Sequence, residues 1–207
     1  MTIPRTIHIV WVGDESHCPD TNIQTWRDLN PTFTVKLWGN EALRTTRWIN
    51  AHHIEAMAHR EWNGVADMMR WEILGREGGF AIDADSTCVR TLDDWLFECD
   101  MFACWENEIA RPGLIASGFV AAAAGNAFLD QIVTDIRQAQ TVTDKLAWET
   151  VGPMRLTQSY HRHRYSNLTI YPSHYFLPDH FTGVHYTGSG PVYARHHWHS
   201  TVKLLGA

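Results

Sequence analysis

The stretch from Gly64 to Asp85 constrains this chain more than any other. Val65, Met68, Met69 and Ile73 recur at helical spacing, and Gly78-Gly79 stops the helix they predict. Phe80 to Ile82 then reads as a very short buried strand that runs directly into Asp83-Ala84-Asp85. Upstream, Ile7 to Val12 is an apolar run ending in the Gly13-Asp14 turn, and it reads as another buried strand. Further helices are expected over Asp20–Leu29, Glu41–His59, Ala127–Gln138 and Met154–His161. Further strands are expected at Phe33–Leu37, Met101–Trp105, Leu114–Ala124 and Leu168–Tyr171. Beyond Pro172 the pattern assigns nothing. Alternating strands and helices indicate an α/β fold with a central sheet flanked by helices.

The chain has 207 residues, of which 44% are hydrophobic and 19% charged, which suits a single domain with a sizeable core over residues 1–207. Its formal charge of −6 gives no electrostatic footprint for duplex nucleic acid as the main partner. Cys18, Cys88, Cys99 and Cys104 form no CxxC pair and match no zinc-finger spacing. Reduced thiols and a cytoplasmic location are therefore expected, since no apolar secretory segment is visible at the start. Leu114 to Leu129 is the most apolar stretch; it is too short to cross a bilayer.

Two carboxylates at i and i+2, as in Asp83 and Asp85, lie on the same side of an extended backbone. At the carboxyl end of a strand they point into the ligand crevice of an open α/β sheet. Placed that close they repel, unless a cation or hydrogen-bond donors neutralise them. A hard divalent ion such as Mg²⁺ or Mn²⁺ does so and keeps sites for phosphate oxygens, so a metal–diphosphate is the natural ligand. Asp67 and Arg70 are i,i+3 neighbours on the preceding helix. Facing the crevice, Arg70 would donate to phosphate or sugar oxygens and Asp67 would accept from sugar hydroxyls. The bland alternatives are a solvated acidic turn and a surface ion pair worth little. Ten tryptophans and thirteen histidines stand out in the composition. His52-His53, His161-x-His163 and His196-His197-x-His199 contain no His-Glu-x-x-His pattern.

Ala66-Asp67-Met68-Met69-Arg70-Trp71-Glu72-Ile73-Leu74 through Gly78-Gly79-Phe80-Ala81-Ile82-Asp83-Ala84-Asp85 resembles the signature of glycosyltransferase family 32. That family holds DXD-containing capsular-polysaccharide and initiating α-mannosyl transferases, and is related to the glucosylating clostridial toxins. Ile3 to Gly13, Trp26, Asn30-Pro31, Leu37-Trp38, Val151-Gly152-Pro153 and Ala194 to Trp198 resemble its other segments in order. The resemblance implies one GT-A, Rossmann-like domain with a mixed, mainly parallel sheet. It implies a retaining hexosyl transfer from a UDP- or GDP-sugar, assisted by Mn²⁺ or Mg²⁺. It matches Asp83, Asp85 and His196 to metal ligands, and Asp67 and Arg70 to the donor sugar, with Asp83 reaching the ribose or bridging through water. It matches Trp11 to a tryptophan stacked on the nucleotide base. Ala66 replaces the usual Ser, Ala81 a common Tyr, and Thr201-Val202 the usual closing Ser-Trp, which bears on a C-terminal lid.

The acceptor stays open among a glycan, a lipid-linked sugar, a protein side chain and a modified nucleobase. Glu106, Glu108 and Asp130 are the carboxylates available as nucleophile or base, and no pattern selects one. Tyr171, Tyr186 and Trp198 are further candidate ligand contacts. Two other functions fit the same residues: a non-catalytic sugar-nucleotide or glycan-binding module, and a metal-dependent phosphoester hydrolase.

Overall fold

A computed structural model describes residues 2–198. Its strands are β1 (Thr6–Val10), β2 (Thr34–Trp38), β3 (Gly79–Ile82), β4 (Ser86–Cys88), β5 (Met101–Asn107), β6 (Arg111–Ile115), β7 (Phe119–Ala122), β8 (Leu168–Tyr171) and β9 (Ala194–His196). Its helices are α1 (Asp20–Leu29), α2 (Asn40–Thr45), α3 (Ala51–Ala58), α4 (Trp62–Glu77), α5 (Ala127–Arg137), α6 (Ala147–Thr150) and α7 (Pro153–His163). Among the described residues no helix is long and apolar enough to cross a membrane.

Seven strands form the main sheet, in the order β2-β1-β3-β7-β5-β6 with β8 also on β5. β1 pairs parallel with β2 and β3, and β5 pairs parallel with β8. β7 runs antiparallel to both β3 and β5, so β3 and β5 point the same way. Only β6 and β7 oppose the common direction, and the sheet is mixed but mainly parallel. The carboxyl ends of β1, β3 and β5 therefore share one edge, where ligands bind in open α/β sheets.

Burial on both faces explains why β3 reads as a continuous apolar run. Phe80 and Ile82 join an aromatic layer with Phe97, Phe102, Phe119 and Phe176. Ala81 faces α4, α5 and α7 through Met68, Met69, Phe128, Ile132 and Leu156. His8 ties β1 to this centre. Trp38 Nε1 donates to His8 Nδ1 at 3.1 Å, so the ring's Nε2–H donates to Gly78 O at 2.8 Å. Burial pulls the His8 pKa below its usual value, keeping the imidazole neutral.

Two sequence expectations need correction. The helix expected over residues 41–59 is two helices, because the buried Glu72 carboxylate accepts from Ile49 N at 2.6 Å and Asn50 N at 2.9 Å. Those bonds hold the chain out of helical geometry between α2 and α3. The strand expected from Leu114 to Ala124 is β6, already begun at Arg111, and then β7. The two are separated at 116–118, where the chain turns its carbonyls toward α4 and β3. The tail that the pattern left unassigned contains β9, which pairs antiparallel with β4.

Candidate metal and donor site

Asp83 and Asp85 follow β3 at the ligand edge, but their backbone is a turn, not an extended segment. Ser86 N and Ser86 Oγ both donate to Asp83 O, at 3.2 and 2.6 Å. The turn still brings the two carboxylates together, and β4 leaves it to pair with β9. In that register Ser86 lies opposite His196, which delivers a histidine more than a hundred residues downstream to the aspartates. Trp26 and Asn30 support this ribbon from α1. Trp26 Nε1 donates to Ser86 O at 3.1 Å, and Asn30 Oδ1 accepts from Leu92 N at 2.9 Å.

His196 Nε2 lies 3.2 Å from Asp83 Oδ2 and 3.0 Å from Asp85 Oδ1. Burial opposes a charge on this imidazole, but Asp85 and Asp83 lift its pKa to about 10. The imidazolium proton sits between two carboxylates, as a cation would. One ligand atom each from Asp83, Asp85 and His196 falls within 4.8 Å of the others. Two carboxylate oxygens and an imidazole nitrogen suit Mn²⁺ or Mg²⁺, and this donor set fits the ion that the resemblance implies. Among the described residues the histidine pairs form no second such group. His199 and Thr201-Val202 lie outside the described residues.

Asp67 and Arg70 are buried on α4 and complete the cluster. Arg70 Nη1 donates to Asp67 Oδ1 at 2.5 Å and to Ser117 O at 2.9 Å, and Nη2 donates to Asp83 Oδ1. With Oδ1 held by Arg70, Asp83 turns Oδ2 toward His196. Burial works against an ionised Asp83, yet Arg70 and His196 hold its carboxyl well below the usual carboxylate range. Burial pushes Asp67 up to about 7, with the Arg70 charge opposing it. Arg70 Nε is buried without a partner. The expectation that Arg70 reaches outward to a ligand is therefore changed: its terminal nitrogens are engaged by the protein, and it orients two aspartates.

Two glycines let the backbone approach these carboxylates. A Cβ at Gly118 would collide with Asp83 Oδ2, and one at Gly152 would come within 2.7 Å of Asp67 Oδ2. Gly118 O also accepts from Asp83 N at 2.9 Å. Trp11 stands just beyond β1, next to the end of β3, with its indole N–H on Asp14 O at 2.9 Å. Trp62, an exposed ring stacked over Gly13, was not anticipated. It opens α4 outside the apolar periodicity, so no pattern marked it.

The family model described as "Glycosyltransferase sugar-binding region containing DXD motif" matches residues 17–101. Inositol phosphoceramide mannosyltransferase 3 of Schizosaccharomyces pombe is 28% identical over 142 residues, which are 65% of this chain and 37% of that protein. The match thus spans little more than a third of that relative. The solved PaToxG glycosyltransferase superposes with a TM-score of 0.64 at 15% identity, covering 78% of this chain and 70% of that one. The UDP-bound glycosyltransferase domain from the YGT toxin superposes with a TM-score of 0.53 at 10% identity, covering 82% and 79%.

Proposed function

We propose that this chain is a glycosyltransferase of the family whose sugar-binding region contains a DXD motif, the family whose model matches residues 17–101, and that residues 1–207 form one GT-A domain that transfers a hexose from a UDP- or GDP-sugar to an acceptor hydroxyl, with a divalent cation and with retention at the anomeric carbon. One observation carries the reading: Asp83, Asp85 and His196 converge within 4.8 Å at the carboxyl end of β3. The mannosyltransferase relative and the UDP-bound neighbour support a nucleotide-sugar donor.

Asp85, His196 and the Oδ2 side of Asp83 would hold the cation, which when bound supplies Lewis-acid stabilisation of the diphosphate leaving group. Arg70 keeps Asp83 ionised and aimed at that place. Asp67, buried beside it with a pKa near 7, accepts from a hydroxyl of the donor sugar. Trp11 stacks on the base. The preformed network needs little reorganisation as charge develops.

The test is a panel of UDP- and GDP-hexoses assayed with Mn²⁺, with Mg²⁺ and after chelation. Metal-dependent release of the nucleoside diphosphate, lost in Asp85→Asn, supports the reading. Equal turnover by both proteins, or phosphoester cleavage without preference for nucleotide-sugars, overturns it. Proton NMR of the product reports its anomeric configuration directly.

A further inference from the structure

Transfer needs a place for the receiving hydroxyl, and the rim of the crevice continues away from the aspartates on a different set of residues. His196 meets Trp198, ring centroids 4.5 Å apart, and Trp198 meets Phe181 at 5.2 Å. The Arg111 guanidinium is flanked by Phe181 at 5.2 Å and Trp148 at 4.9 Å. Trp148 returns to the start: a Cβ at Gly152 would touch both its Cα, at 3.0 Å, and Asp67. These contacts close a ring around the edge of the sheet.

Beneath Arg111 lies Glu106, 5% exposed, at the carboxyl end of β5. Arg111 Nη1 is 3.3 Å from Glu106 Oε1, and His180 Nε2 is 3.4 Å from the same oxygen. Thr182 N donates to His180 Nδ1, so Nε2 carries the hydrogen that points at Glu106. Burial lowers the His180 pKa despite Glu106 and leaves the ring neutral. Both partners fall on Oε1. Among the described residues the buried polar atoms without partners are Asn50 Oδ1, His53 Nε2 and Arg70 Nε, and no hydrogen bond or ion pair engages Glu106 Oε2.

Resting on the transferase reading, we propose that Glu106, Arg111, Trp148 and Phe181 form the acceptor subsite and that it takes a neutral glycosyl group. The guanidinium is fixed between two rings with N–H donors to spare, next to a carboxylate oxygen that no described residue engages. A fixed donor beside a free acceptor matches the vicinal hydroxyls of a sugar, and the aromatic flanks match its C–H faces. The Arg111 charge is already offset by Glu106, so this cluster has no spare positive charge for a phosphate.

Saturation-transfer NMR tests this on the whole chain with Mg²⁺ and UDP or GDP present. The probes are the methyl glycosides of mannose, glucose and galactose, and their 6-phosphates. At least one neutral glycoside should bind, with affinity reduced tenfold or more in both Glu106→Gln and Trp148→Ala. Melting temperature identifies a variant that has failed to fold, and the other variant then decides. Undiminished binding in the folded variants, a preference for the 6-phosphates, or no glycoside bound by a protein that does bind nucleoside diphosphate overturns the acceptor assignment. Failure to bind either nucleotide overturns the transferase reading instead.

Discussion

The two walls of the crevice are made of different materials. One is charged and rooted in the core: Asp67, Arg70 and Asp83 share hydrogen bonds on α4 and β3, and the Arg70 side chain is 4% exposed. The other is aromatic and drawn from the surface: Arg111 is 33% exposed at its side chain and is held by ring faces as well as by Glu106. The first wall is preorganised by the same packing that folds the sheet. The second is supplied by a hairpin, a one-turn helix and the segment before β9. On the proposed reading, a chain built this way can keep the residues for metal and donor while those that choose an acceptor change.

The strongest way to break that contrast is to remove one arginine from each wall. Arg70→Met leaves the buried Asp67 without its cation and takes one of two cationic partners from Asp83, and should cost about 3–5 kcal/mol in urea unfolding. Arg111→Met, where the arginine is a third exposed and the buried Glu106 keeps His180 as a partner, should cost less, about 1–2 kcal/mol. Equal losses would mean that the walls do not differ in how they are anchored. Next in size, Asp85→Asn should lower metal-dependent turnover by at least about 100-fold with stability nearly unchanged. Smaller again, Gly118→Ala should push Asp83 off its position and weaken Mn²⁺ binding by about tenfold or more; unchanged affinity would show that the close approach of 116–118 to β3 is incidental.

A further effect is in pH, and it has opposite signs at two histidines. His196 is raised in the metal-free fold, so its contribution is full below pH 6.5 and is lost as pH climbs toward 10. His8 is lowered, so stability is lost as pH falls through 6.5. Denaturation of metal-free protein across this range should show both limbs, with His196→Gln removing the alkaline one. Survival of that limb in the variant would place its origin elsewhere.

How much of this was legible in the chain follows the same division. Asp67, Arg70, Asp83 and Asp85 sit in one helix–strand unit, where local spacing predicts their proximity. His196 was matched only by resemblance, because no local pattern states that β9 pairs with β4. Glu106 was visible only as one of three unassigned carboxylates. Arg111, Trp148 and Phe181 come from separate segments and meet through tertiary packing that leaves no periodic trace. The role of Arg70 also changed, since a sequence shows that a guanidinium is present but not that its terminal nitrogens are already engaged. The split between α2 and α3 was hidden for a similar reason: the Glu72 carboxylate that breaks the helix comes from α4.

The central claim is that Asp83, Asp85 and His196 take a divalent cation together with a nucleoside diphosphate. Titration calorimetry of metal-free protein with Mn²⁺, with UDP or GDP present and in buffers of different ionisation enthalpy, tests it most directly. At pH 7.5 the wild-type chain should bind the ion and release about one proton, the one His196 holds. Asp85→Asn should bind at least about tenfold more weakly. Uptake of the ion with no proton released, and at the same affinity in the variant, would contradict the account.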